Sequence, residues 1–527
     1  VTSRAAHDTS APRHTSAGQG RAGILARLRP YVQALFLALF VILITLAWVL
    51  GDSRSWANLF FRLDPLAGAM SMLAGRRFLP ALLLSLLTIG LTLMVGRVWC
   101  AWICPLGTLL DWTPARQQPN AALGPESPWR RVKYILLIAM LASAIAGSLT
   151  VLLLDPIVLT SQMVGRVFLP LVEQAFSLLE RAGFAIPWTR PLVSSADNLL
   201  RGTIFPLERH FYGGAVLIGL VFAGILALNA LAPRFWCRHL CPLGALLGLL
   251  SRAAWIRRRV DTSCIDCGRC ARLCPTGTID AGRGYASDPA ECTTCLLCQD
   301  ACPVSAISFS GGSLRPAPSQ NYDPTRRQAL VTLGLGLAGV GLFRAGPSSD
   351  FLDPHRILPP GGRENDLASK CIRCGLCLKA CPTGGLQPAF PRASAQDLWT
   401  PVLVPRMGYC DYSCHACGQI CPTGAIPDIP LDIKRTVIIG KAYIDTSRCI
   451  PWSEGRDCIV CEEMCPVPDK AIKLEEARVK TVAGQTVTVK LPHVERERCI
   501  GCGICEYQCP VAGQAAVRVY SPVLERG

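Results

Sequence analysis

The chain has 527 residues, 53 Lys and Arg against 37 Asp and Glu, a formal net charge of +16 and 28 cysteines, with a mean hydropathy of +0.34. The positive charge is mostly arginine and suits an anionic membrane surface; no nucleic-acid module accompanies it, which excludes nucleic acid as the partner. Every cysteine falls in a tetrad or a paired motif ending in proline, a pattern that speaks of metal chemistry rather than of a secreted disulfide framework.

Residues 1–29 are polar, rich in Ser, Arg and Ala and without periodicity, which predicts a disordered basic arm. Residues 30–255 predict a helical membrane domain. Its four apolar runs, Tyr31 to Leu50, Leu79 to Val95, Val132 to Leu154 and Phe211 to Leu231, are read as bilayer spans, with no secretory signal peptide expected ahead of the first. The region is an internal duplication. Leu63-Asp64-Pro65-Leu66 recurs as Leu154-Asp155-Pro156-Ile157, and Arg97-Val98-Trp99-Cys100 through Gly107 recurs as Arg234-Phe235-Trp236-Cys237 through Gly244. Two parallel repeats of two helices imply a pseudo-twofold axis along the membrane normal. Arg21, Arg27, Arg29, Arg130, Arg131, Lys133 and Arg252 flank the runs on one side, which the positive-inside rule makes cytoplasmic; Arg76, Arg77 and Arg209 lie on the other.

Each repeat carries a C-x3-C-P motif. On a helical turn this spacing puts both sulfurs on one face, and the twofold would gather Cys100, Cys104, Cys237 and Cys241 into a seventh iron-sulfur cluster or a set of redox-active thiols. The competing reading is small buried hydrophobes at helix ends. His239, inside the second motif, is given no ligand role. Asp64 and Asp155 admit two roles: acceptors of protons from a quinol oxidised at the membrane, or N-caps ahead of a proline at the first helical position.

Residues 256–312 hold two tetrads, Cys264, Cys267, Cys270, Cys274 and Cys292, Cys295, Cys298, Cys302. The run C-x2-C-x2-C-x3-C-P binds 4Fe-4S clusters, three thiolates wrapping one cluster while the fourth reaches its neighbour. Residues 313–346 contain Thr325-Arg326-Arg327-Gln328-Ala329-Leu330 and an apolar run ending near Phe343. They read as an internal twin-arginine export signal retained as a fifth, anchoring helix, or as an amphipathic linker that leaves everything cytoplasmic. Residues 347–364 read as a linker.

Residues 365–522 hold four more tetrads: Cys371, Cys374, Cys377, Cys381; Cys410, Cys414, Cys417, Cys421; Cys449, Cys458, Cys461, Cys465; and Cys499, Cys502, Cys505, Cys509. The second and third depart from the run at their first cysteine, which alters a loop without removing a ligand. Thr436 to Ile439 and Thr486 to Val489 alternate like short strands. Four-cysteine zinc sites use similar knuckles, but zinc and disulfides explain neither the third close cysteine nor the repeated C-x3-C-P. A haem-attachment C-x-x-C-H is absent. The predicted fold is therefore an α-helical membrane bundle of two tandem two-helix repeats, with a fifth anchor helix and two α+β ferredoxin-like domains carrying six 4Fe-4S clusters.

On these motifs, residues 31–310 resemble the membrane-bound ferredoxin-type subunit that accompanies periplasmic nitrate reductase. Residues 324–520 resemble its twin-arginine-exported four-cluster partner, so the chain looks like the two fused. Similar pairs serve nitrous oxide reduction and methylamine oxidation. The resemblance implies a quinol dehydrogenase component in the bacterial inner membrane that feeds electrons from membrane quinol to a periplasmic redox enzyme or carrier, with the first ferredoxin domain cytoplasmic and the second periplasmic. It also implies that the outer tetrads of the second domain exchange Cys381 and Cys509, and the inner ones Cys421 and Cys465. Two other readings are an assembly or maintenance factor for a partner metalloenzyme, and a relay from cytoplasmic reductants to the exported domain.

Overall fold

A computed structural model describes residues 21–48, 56–114, 127–201, 204–205, 211–312, 356–389, 397–480 and 486–521, with a few isolated positions between 330 and 338. The twin-arginine motif, and with it the fifth helix apart from those positions, lies outside the described residues, as do residues 1–20 of the basic arm. The arm's end is corrected: helix α1 already starts at Arg21 and runs to Thr45. Arg29 lies within it, buried, its guanidinium paired with Asp111.

The helices of the first repeat continue with α2 (Pro65–Gly75), α3 (Ser85–Val95) and α4 (Pro105–Trp112). The second repeat comprises α5 (Val132–Ile145), α6 (Pro156–Met163), α7 (Leu169–Ala185), α8 (Arg190–Leu200), α9 (Ala215–Ala227) and α10 (Pro242–Ser251). Four of these helices, α2, α4, α6 and α10, begin with proline directly after Asp or Cys, a position where the missing N–H removes no helical hydrogen bond.

Among the described residues one helix is long and apolar enough to cross a membrane, Ile24–Thr45; the apolar helices Pro80–Val95 and Ala215–Ala230 are shorter. The expected run Val132 to Leu154 is also divided, into α5 and a short 3-10 turn at Thr150–Leu154. The division has a local cause. Gly147 follows α5 at φ 77°, a left-handed conformation that stops a helix. The α7–α8 hairpin has no counterpart among the described residues of the first repeat.

Residues 255–312 form a small domain in which β1 (Ile256–Val260) pairs antiparallel with β4 (Ile307–Gly311), and β2 (Ile279–Asp280) with β3 (Ala286–Ser287). Residues 356–521 form the larger one, with antiparallel pairs β5 (Leu386–Pro388) with β6 (Pro401–Leu403), β7 (Lys441–Ile444) with β10 (Val517–Tyr520), and β8 (Ile472–Lys480) with β9 (Thr486–Val494). Thr436 to Ile439 is not a strand; the chain there turns, and the pairing segment is β7. The expected linker is ordered from Arg356, since Ile357 bridges Leu403.

The two iron-sulfur domains sit at opposite ends of the helical bundle. At one end Arg130 donates to the carbonyls of Thr276 and Gly277 at 2.9 and 2.8 Å, Ser251 to Pro289 at 2.8 Å and Thr294 to Val95 at 2.8 Å. At the other, Asn58 donates to Ile420 at 2.9 Å, Ser161 to Cys374 at 2.8 Å and Arg373 to Thr150 at 3.1 Å. Helix α1 joins the two: the segment Leu297–Asp300 packs beside it and Leu376–Ala380 meets the turn after it.

Candidate metal centres

Each ferredoxin-type tetrad puts its third cysteine on a short helix and its fourth just past that helix, as at Arg269–Leu273 and Leu376–Ala380. Gly268, Gly375 and Gly503 open three of these helices at φ 67°, 78° and 82°. Leu296 adopts φ 65° in the same place, a strained conformation for a side chain of that kind. This local geometry carries three sulfurs to one side of a cavity, and the fourth arrives from a neighbouring tetrad.

The cavities identify the neighbour. Cys264, Cys267 and Cys270 are closed by Cys302, and Cys274 stands within electrostatic reach of Cys292, Cys295 and Cys298. In the larger domain Cys371, Cys374 and Cys377 are closed by Cys421, Cys410, Cys414 and Cys417 by Cys381, and Cys449, Cys458 and Cys461 by Cys509. Cys465 lies within reach of Cys502 and Cys505, which also face Cys499. The exchange is therefore between consecutive tetrads, Cys381 with Cys421 and Cys465 with Cys509. This corrects the outer-with-outer pairing, because each consecutive pair of tetrads folds as its own two-cluster unit.

The donor set fits iron-sulfur cubes. Four thiols line each of four cavities, three from one tetrad and one from its neighbour. Burial pushes the thiols of Cys292, Cys298 and Cys502 up to about 12, so iron must displace their protons as it binds. Backbone N–H groups of Ala471, Ala442 and Ala516 donate to Cys465, Cys499 and Cys509 at 3.3, 3.3 and 3.4 Å, contacts of the kind that tune cluster potential.

Between the domains, the C-x3-C-P motifs meet. Cys100, Cys104, Cys237 and Cys241 are all buried and mutually within electrostatic reach. They share one apolar core with Ile372 and Cys374 of the larger domain. The indole N–H groups of Trp99 and Trp236, and Nε and Nη2 of Arg97, are buried in the same region without a protein partner among the described residues. Orphaned donors beside four thiols fit an acceptor-bearing group held there.

The Asp-Pro corners converge as well. Asp64 Oδ1 accepts from Leu66 and Ala67 at 2.9 and 3.3 Å, and Asp155 Oδ1 from Ile157 and Val158 at 2.8 and 3.2 Å, so both are N-caps. Both side chains are fully buried, each Oδ2 lacks a donor, and the two carboxyls lie within hydrogen-bonding reach of each other. Two ionised carboxylates cannot share a dry site; one proton between them converts repulsion into a hydrogen bond.

Comparison with known proteins agrees with this chemistry. A 4Fe-4S binding domain family matches residues 78–115 and 214–263, which contain the four bundle cysteines. A 4Fe-4S dicluster domain family matches residues 263–306 and 370–425, and a further 4Fe-4S binding domain residues 491–516. The methylamine utilization ferredoxin-type protein MauM of Methylorubrum extorquens is 36% identical over 206 residues, 37% of this chain and 89% of the relative. MauM of Paracoccus denitrificans is 36% identical over 208 residues, 37% and 87% respectively, and the ferredoxin-type protein NapG of Escherichia coli 38% identical over 218 residues, 40% and 91%. The chain belongs to the MauM/NapG family of ferredoxin-type proteins. Most of its length lies outside each of these alignments. No solved structure matches the chain. The shared chemistry is electron transfer through 4Fe-4S clusters.

Sequence reasoning missed the charged residues that hold this ferredoxin-type protein together. Arg97 and Arg234 were visible only as members of the duplicated motif. Each crosses to other elements: Arg97 to Glu291 of the small domain at 3.4 Å, Arg234 to Asp111 at 2.6 Å. Glu291 directly precedes Cys292, a signal that a carboxylate at a ligand loop has a partner elsewhere. His239 is fully buried against Phe235 and touches none of the cysteines through a hydrogen bond.

Proposed function

We propose that the chain is a membrane-anchored electron conduit that takes electrons from membrane quinol and delivers them to a periplasmic redox enzyme or carrier such as nitrate reductase. The observation that carries the reading is that the four bundle cysteines share one continuous apolar core with Cys374 of the larger domain, while Arg97, beside Cys241, reaches Ala290 and Glu291 of the smaller one. In this reading the bundle crosses the inner membrane with α1 as its full-length helix. Residues 255–312 face the cytoplasm and residues 356–521 the periplasm.

The clusters supply one-electron transfer when bound. The polypeptide supplies the rest. Twenty-four cysteines in six tetrads hold six cubes, and Cys100, Cys104, Cys237 and Cys241 hold a seventh redox centre inside the bundle. Buried hydrogen bonds to sulfur tune the potentials. Asp64 and Asp155 hold a shared proton within electrostatic reach of Cys104 and offer a place for a proton that a quinol releases on oxidation.

Anaerobic stopped-flow reduction of the detergent-solubilised protein by a menaquinol analogue tests the reading. Bleaching of the iron-sulfur absorbance is expected. Clusters that dithionite reduces but quinol leaves oxidised would favour a maturation role over quinol dehydrogenation.

A further inference from the structure

We propose that Arg97 sets the reduction potential of the four-thiolate centre, with one edge of its guanidinium aimed at that centre across the repeat boundary. The inference rests on the reading above that Cys100, Cys104, Cys237 and Cys241 hold a redox group.

Arg97 belongs to the first repeat but reaches the motif of the second. A methyl group built on Gly244 would stand 2.7 Å from Arg97 Nη2 and 3.3 Å from Cys241 Sγ. The fork and the thiol therefore flank a single gap that only glycine leaves open. Arg97 is 1% exposed. Its Nη1 donates to the Ala290 carbonyl at 2.9 Å and faces Glu291 at 3.4 Å, while Nε and Nη2 have no protein acceptor among the described residues. The repeat mate is arranged differently. Arg234 donates through Nε and Nη2 to the two oxygens of Asp111, each at 2.6 Å, and through Nη1 to the Cys100 carbonyl at 3.1 Å. The twofold is thus broken where the charge matters: Arg234 is held by both oxygens of a carboxylate, whereas Arg97 meets its carboxylate through Nη1 alone and keeps Nη2, buried beside Cys241, without an acceptor among the described residues.

A buried charged donor without an acceptor is strongly disfavoured, and thiolate or sulfide sulfur satisfies it. Positive charge and N–H···S bonds favour the more negative, reduced state of an iron-sulfur group and so raise its potential. The effect acts on a one-electron exchange in which no bond forms and no proton moves. Glu291 stands next to the ligand Cys292, so the same guanidinium spans the two neighbouring redox sites and belongs to both.

The test is a redox titration of the full-length protein followed by electron paramagnetic resonance, with iron counted per chain, for wild type, R97Q and R97K. R97Q should make reduction of the centre at least tenfold less favourable, about 59 mV for one electron, with the potentials of the larger domain unmoved; R97K, which keeps charge but loses the fork, should fall between. A centre that is present in both variants at the wild-type midpoint overturns the inference and leaves the four-thiolate reading standing. Should R97Q fail to retain its iron, R97K alone decides in the same way. Wild-type protein with iron for six clusters only and no seventh signal overturns the reading and the inference together.

Discussion

Lys133 and Glu291 meet as a fully buried ion pair, Nζ lying 2.5 Å from Oε1 and 2.7 Å from Oε2. Arg97 and Arg130 approach the same carboxylate at 3.4 and 3.7 Å. This knot ties the small iron-sulfur domain to the bundle. Replacing Glu291 by Gln leaves the cations without it, a change of roughly 3–5 kcal/mol for a broken buried pair. E291Q should undock residues 255–312, seen as faster hydrogen exchange in β1 and β4. Unchanged exchange there would sink the assignment.

The same carboxylate gives the docking a pH dependence. Burial alone would push Glu291 up, but Lys133, Arg130 and Arg97 outweigh it and hold the carboxyl at about 2, below its ordinary 4.5. A depressed acid stabilises above its unfolded value and loses that contribution as pH falls through the folded one. Docking should therefore be constant above pH of about 5 and weaken steadily as pH falls from there toward about 2; E291Q should lack this slope. The readout is hydrogen exchange in β1 and β4 of wild type and variant, compared over the part of that range where both keep their iron.

The crossover of ligands predicts which cluster each terminal cysteine serves. C421S should disturb the cluster wrapped by Cys371, Cys374 and Cys377, and C381S the one wrapped by Cys410, Cys414 and Cys417. In the same way C509S should act at Cys449, Cys458 and Cys461. Site-resolved exchange or spectroscopy of the three variants checks this; damage by C509S at the Cys371 loop would restore the outer-with-outer pairing.

Two backbone crossings hold the paired tetrads together. A methyl group on Gly408 would come 2.1 Å from the Thr383 carbonyl oxygen and 2.6 Å from Gly385 N, and one on Gly501 would come 2.3 Å from Gly440 N and Cα. Backbone cannot step aside as a flexible side chain does. G408A should lie at or beyond the upper end of the roughly 1–3 kcal/mol typical of overpacking, whereas G424A, whose Cβ meets nothing within 4 Å, should be limited to its backbone strain at φ 65°. Thermal unfolding with iron retained ranks the two.

Asp64 is expected to tolerate amide but not methyl. Asn keeps the Oδ1 cap on Leu66 and Ala67 and offers Nδ2 to Asp155, so D64N should stay within about 1 kcal/mol of wild type, a shared proton having been replaced by a shared hydrogen bond. D64A loses the cap, about 0.5–2 kcal/mol, and leaves two buried N–H groups bare. Equal stability of D64A and D64N in detergent would argue against the paired carboxyls.

The cysteine spacing was decisive on its own. Loops of two residues between Cys264, Cys267 and Cys270, and a three-residue step to Cys274, leave the chain few ways to arrange its sulfurs, so the ferredoxin-like domains could be read from order alone. The duplicated Asp-Pro and C-x3-C-P motifs likewise announced their symmetry, and Asp64 and Asp155 their caps, because capping is local to three residues. What order could not give is which tetrad lends its fourth cysteine to which, since Cys381 and Cys421 are 40 residues apart by number and their pairing depends on how the chain returns. Nor could it give helix lengths in the bundle, where glycines and turn geometry break apolar runs that hydropathy counts as whole. The contacts of Arg97 with Glu291 and of Arg234 with Asp111 join separate elements. They exist because burial forces each guanidinium to find whatever acceptor the assembled fold brings within reach, and that choice belongs to the tertiary structure.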